Sequence, residues 1–183
     1  QLGCDVVLAE PDGGWPRDEW FEAYNRGKRS IVVRDIADIE DLAADADFVI
    51  DCGAHSLPVD LPELRRKNPQ LITVSMTAFG TDGPKASWLA TDLTLVAASG
   101  QMICNGDADR APVRISIPQA WSHSACQALV GALVANDERS RSGHGQHVDV
   151  STQQAMAETA LPAILHGPAG LPPQERMAGG VQQ

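Results

Sequence analysis

Residues 115–151 read ISIPQAWSHSACQALVGALVANDERSRSGHGQHVDVS and hold the longest helix pattern in the chain, a glycine-punctuated turn and a strand. Over residues 120–135, apolar side chains sit on nearly every helical face: Trp121, Ala125, Ala128, Leu129, Ala132 and Leu133. A helix apolar all round is expected to be buried. Ser116 and Gln119 have the spacing of a capping box, and Pro118 is tolerated in a first helical turn. The pattern turns polar over residues 136–142 and stops at Gly143. Arg139 and Arg141 fall in the last turns, where the helix dipole favours cations. His147-Val148-Asp149-Val150 reads as a strand, so GHGQ is a tight helix-to-strand turn. A nucleotide-binding glycine loop has the opposite order, strand then helix.

Working outward, residues 5–10, 30–35, 47–52 and 71–77 are short apolar or β-branched runs, each expected to be a strand. Helical patterns lie between and after them, at residues 19–24, 38–46, 61–67 and 92–99, the last closed by Gly100. Apolar strands alternating with helices predict a parallel, Rossmann-like α/β sheet covered by helices on both faces. A further short strand is expected at residues 113–117, and a final helix over residues 152–166 with Pro162 inside it. We expect residues 1–166 to be the folded unit. Residues 167–183, rich in Gly, Pro and Gln, are expected to be a linker or a frayed end. A strand this close to residue 1 leads us to expect further residues upstream.

The 183 residues are 43% hydrophobic and carry a net charge of −10, with a pI of about 4.8. A nucleic-acid binder needs a basic face, so that class is excluded. No apolar run approaches the roughly 18 residues of a membrane span. Cys4, Cys52, Cys104 and Cys126 are far apart, the usage of buried, reduced cysteines in a cytoplasmic protein. The histidines find no cysteine or carboxylate pattern to complete a metal site.

Against this acidic background one basic loop stands out, Asn25-Arg26-Gly27-Lys28-Arg29. Three cations around a glycine suit phosphate, through charge and exposed N–H groups. A solvated turn before a strand is the plainer reading. Ser122 and His123 are neighbours on a helix and do not face each other, so they form no dyad. Asp82, Asp92 and Asp107 sit in or beside loops, where caps and turns account for them as well as catalysis does.

Six segments in order carry a resemblance: LGCDVVLAEPDGG, NRGKRSIVV, DFVI, PQLITVSMTAFGTDGP, TDLTLVAASG and ERSRSGHGQHVDVS. Together they resemble the family III CoA-transferases of the CaiB/BaiF type. The resemblance implies a large Rossmann-like domain, a smaller domain following it, and two interlocked subunits. It implies transfer of CoA from an acyl-CoA to a carboxylic acid, through an aspartate that attacks the thioester. Coenzyme A would enter as the acyl-CoA substrate, with no metal. The family's aspartate lies about ten residues before the segment matched by Val130-Gly131-Ala132-Leu133. That position is Trp121, which cannot attack a thioester, and no Asp or Glu lies within residues 115–136. The expectation is a homodimer, or a half working with an aspartate-bearing partner. The alternatives are a non-catalytic acyl-CoA-binding or regulatory protein, and a racemase. The racemase branch has a histidine where this chain has Thr91. After the third strand the family often has Glu-Asn-Phe-Arg-Pro-Gly, and this chain has residues 51–56, DCGAHS. The resemblance assigns CoA contacts to Asn25, Arg26, Lys28 and Arg29. Phe79 and Gly80 match a family turn near the thioester.

Overall fold

Five short parallel strands and seven helices make up the computed structural model, which describes residues 3–53 and 57–172. β1 (Val7–Glu10) pairs with β2 (Arg29–Val32) in one sheet, and α1 (Glu19–Asn25) crosses between them. The second sheet has the order β3 (Phe48–Asp51), β4 (Ile72–Thr77), β5 (His147–Ser151). α2 (Ile36–Ala44) and α3 (Leu61–Lys67) precede β4, and α4 (Asp92–Ala98) and α5 (Ala120–Ser142) separate it from β5. α6 (Thr152–Thr159) and α7 (Leu161–His166) follow.

β4 is the centre of this arrangement. Residues 71–76 are all buried, apolar Ile72, Val74 and Met76 on one face and Leu71, Thr73 and Ser75 on the other, as a strand covered on both faces requires. Ile72, Val74 and Met76 pack with Val150 against Ala128, Ala132 and Ala135 of α5. On the opposite face, Leu71 joins Ala43 of α2 and Leu61 and Leu64 of α3. Each of the larger side chains contributes about 1.5–3 kcal/mol through burial. The helices thus cover both faces, as the sequence pattern requires.

Helix starts follow from local chemistry. Asp18, Asp35 and Asp60 cap α1, α2 and α3 by accepting backbone N–H groups with their side chains. Thr91 and Thr94 form a reciprocal capping box at α4. Glu10, at the end of β1, is fully buried and fixes the turn after it. Its carboxylate accepts the Trp15 N–H at 3.0 Å, the Arg17 guanidinium at 2.8 Å and the Ser30 hydroxyl. The Ser30 bond leads in holding its pKa below the usual carboxylate value.

Several expectations are corrected. α5 is not buried all round. Its buried residues are small, Ala120, Ser124, Ala128, Ala132 and Ala135, whereas Leu129, Val130, Leu133 and Val134 are 49–65% exposed. The periodic stripe of small residues, not the large ones, meets the sheet because the two approach closely. Ser116 does not cap α5; Gln119 is the N-cap and makes no side-chain cap bond. Residues 113–117 form no strand, since no neighbour pairs with them. The Val113 N–H instead bonds the Asn105 carbonyl at 3.2 Å, closing a loop over Gly106. The final helix is broken at Ala160, which lets Pro162 fall in the first turn of α7, where its missing N–H costs nothing. Among the described residues the strands form two sheets and not one continuous sheet. The cysteines are free as expected, but Cys4, Cys52 and Cys126 are exposed.

Candidate functional site

In a parallel sheet, ligands collect beyond the carboxyl ends of the strands. Here the carboxyl end of β4 runs into Ala78-Phe79-Gly80-Thr81. Gly80 has φ +91°, a conformation other residues adopt only with strain. Asp149 of β5 holds this turn in place. Its Oδ2 accepts the Thr81 N–H at 2.9 Å and the Thr81 hydroxyl at 2.6 Å, and its Oδ1 accepts the Ser75 hydroxyl at 2.9 Å. Desolvation pushes the Asp149 pKa up, and these bonds outweigh it, leaving the carboxyl below its ordinary range. The Ala78 carbonyl accepts the Gln153 N–H at the start of α6. Asp149 was not among the carboxylates the sequence singled out. The available signal was an acid between Val148 and Val150, on the same strand face as His147 and Ser151.

The start of α5 faces the same place. Ala120 is fully buried with Leu95, Val96 and Met156, and Trp121, Phe79, Ala78, Ala90 and Met102 pack around them. Trp121 and Phe79 therefore share one apolar cluster, each partly exposed. Asp92, the first residue of α4, accepts the Ala120 N–H at 2.9 Å through Oδ1. Its Oδ2 is buried without a hydrogen-bond partner. A carboxylate thus reaches the backbone beside Trp121 from α4 and not from α5. Ser122 donates its hydroxyl to the Pro118 carbonyl at 3.0 Å, in keeping with the absence of a Ser–His dyad. The hydroxyl of Thr152 donates to Ser124 at 3.0 Å, a fully buried bond that fastens α6 to α5.

The basic loop belongs to the other sheet, between α1 and β2. Gly27 has φ +80°. Lys28 donates to the Asn25 side-chain oxygen at 2.8 Å, and Asn25 donates to the Phe21 carbonyl. Arg29 pairs with Asp5 through two hydrogen bonds, both side chains 69% exposed. A phosphate at this loop would compete with Asp5 and Asn25. Desolvation and then the Asp51 carboxylate push the Cys52 thiol up, against the opposing pull of Lys28. Lys28 therefore lies within electrostatic reach of the carboxyl end of β3. Residues 54–56 of the stretch that departs from the family's sequence lie outside the described residues. Among the described residues no group of three or more His, Cys, Asp and Glu is placed to hold a metal ion.

The family model for CoA-transferase family III matches residues 2–182. The chain belongs to this family. Among curated relatives, it is 34% identical over 186 residues to the probable CoA-transferase Rv1866 of Mycobacterium tuberculosis, covering 91% of this chain and 24% of that protein. It is 30% identical to the succinate–glutarate CoA-transferase of Agrobacterium fabrum, covering 82% and 44%. It is 33% identical to subunit BbsE of the succinyl-CoA:(R)-benzylsuccinate CoA-transferase of Thauera aromatica, covering 85% and 44%. The crystal structure of a CaiB/BaiF family protein from Brucella suis superposes with a TM-score of 0.85 at 28% identity, covering 96% of this chain and 53% of that one. The chain thus spans less than half the length of these curated relatives. Almost the same stretch fills 24% of the M. tuberculosis relative but 44% of the other two, so that relative is nearly twice as long. As a family III chain it is related to enzymes whose substrates are CoA thioesters, and among the described residues no helix is long and apolar enough to cross a membrane.

Proposed function

We propose that this chain is part of a cytoplasmic CoA-transferase that moves CoA between an acyl-CoA and a carboxylic acid, with the attacking aspartate supplied by a second domain or subunit. Residues 1–166 would be a portion of the large domain; of the stretch 167–183, expected as a linker or frayed end, residues 173–183 lie outside the described residues. The observation that carries the reading is Trp121 at the second position of α5, the position to which the resemblance assigns the family's nucleophile. In that chemistry an aspartate carboxylate attacks the acyl carbonyl and expels the CoA thiolate, leaving a mixed anhydride. The thiolate then attacks the aspartyl carbonyl, releasing the first acid and forming an aspartyl-CoA thioester. The acceptor acid takes the thioester's place by the same two steps in reverse. An indole has neither the charge nor the lone pair for the first step. The nearly doubled length of one relative, and the naming of another as a subunit, support a division of labour between two such units. Asn25, Arg26, Lys28 and Arg29 are proposed to meet the CoA phosphates, with Phe79 and Gly80 near the thioester.

The protein is expected to show no transfer alone and to gain it when paired with an aspartate-bearing partner; turnover without any partner would rule the proposal out. Trp121→Asp should create a hydroxylamine-trappable acyl-enzyme if the surrounding site is intact. A non-catalytic acyl-CoA-binding protein is the second reading, favoured by the engagement of both nearby carboxylates, Asp92 and Asp149, in fixing the backbone. Acyl-CoA binding without transfer under every pairing would select it.

A further inference from the structure

The loop between β4 and α4 gathers two aromatic rings around one lysine. Phe79 and Trp88 meet edge to face, their ring centroids 6.1 Å apart. The Lys85 ammonium lies over both rings, 5.7 Å from Phe79 and 5.5 Å from Trp88. No carboxylate pairs with Lys85 among the described residues, although Arg17, Arg29, Arg66, Lys67, Arg110, Arg139 and Arg141 all pair with carboxylates and the chain is acidic. Trp88 is 57% exposed and Leu89 wholly exposed, so a large apolar surface adjoins this cation. Phe79 joins the apolar cluster that also holds Trp121. The ring faces hold the ammonium by electrostatic attraction and keep it from ranging through solvent. They leave its full positive charge unneutralised. An anion alone would gain little at so open a cation. An anion attached to a flat or apolar body would gain twice, from the charge at Lys85 and from the surface of Trp88 and Leu89.

We propose that Lys85, Phe79 and Trp88 form a binding site for an anion carried on a flat or apolar body. This deepens the transferase reading and rests on it, since two sources supply that chemistry: the carboxylate of an aromatic acid substrate, which suits Phe79 beside the thioester, or the adenine and phosphate end of CoA, which would replace the assignment of the phosphates to Asn25–Arg29. The test is calorimetric titration of the full chain with benzoate and, separately, with adenosine 3′,5′-bisphosphate, at low and high salt. At least one probe binds, and Lys85→Ala weakens it about tenfold, while Lys85→Arg retains it within about threefold. Trp88→Ala weakens the same probe, and added salt weakens it in the wild type but not in Lys85→Ala. Loss confined to benzoate assigns the site to the acid; loss confined to the bisphosphate assigns it to CoA. If neither probe binds below about 10 mM, or Lys85→Ala binds both as the wild type does, the site does not exist. Both substituted positions, Lys85 and Trp88, are exposed on the loop, and Lys85→Gln serves as a second variant should Lys85→Ala fold poorly. These are binding measurements without turnover. A failure to find CoA transfer with any partner would therefore overturn the proposed function without deciding this site.

Discussion

Gly145 shows how much a single residue constrains this chain. A Cβ built there would stand 2.0 Å from the Leu71 carbonyl oxygen, and backbone cannot yield as a side-chain tip does. The Gly145 N–H bonds the Pro69 carbonyl at 2.8 Å, so the turn is pressed against the entrance of β4. Gly145→Ala is expected to cost at least ~3 kcal/mol in urea unfolding, or to abolish folding. Asp149 makes a second residue-scale case. Its folded pKa lies below its unfolded value, so its contribution is fully present above the usual carboxylate pKa. It fades as pH falls through the folded value. Asp149 is exposed, so screening trims its worth: Asp149→Asn should lower stability by no more than about 1 kcal/mol at pH 7, and the gap from wild type should close as the pH drops below ~4. Urea midpoints across pH measure both.

At the scale of elements, α5 reads differently in sequence and in structure. Its length, its glycine stop and the strand after it are all legible, because those signals are local. Which face it buries is not. Ala128 and Leu129 look alike to a pattern of apolar positions, and the depth of the neighbouring sheet decides between them. Gly131 carries that decision, for a Cβ there would come within 2.6 Å of Val148. The helix is drawn so close that small residues face inward and Leu133 and Val134 face out. Ala132→Leu should therefore destabilise by about 1–3 kcal/mol, whereas Val134→Lys should stay within about 0.5 kcal/mol in the isolated chain. The reverse order would mean that the exposed face is the folding core. The same limit explains residues 113–117: β propensity was visible, but the lack of a pairing neighbour is a tertiary fact. The candidate site divides likewise. Trp121, Phe79 and Gly80 were readable as positions. The Asp92 bond to Ala120 and the Asp149 clasp on Thr81 span 28 and 68 residues, beyond any local pattern.

Across the whole molecule, stability is concentrated around β4. Its residues are buried on both faces and paired on both edges, whereas all four residues of β2 are exposed. Hydrogen exchange should be slowest over residues 72–77 and faster by about tenfold or more over residues 29–32. Uniform protection across both sheets would contradict this. The pairing of β4 with β5 also sets the tempo of assembly. Thr73 meets His147 across a separation of 74 residues. Closing so long an interval costs entropy before any contact repays it, which makes such parallel pairings slow. On the ribosome, the middle of the sheet stays open along one edge until residue 151 has cleared the exit tunnel. During that interval the bare, apolar flank of β4 is available to chaperones, or to another unfinished chain.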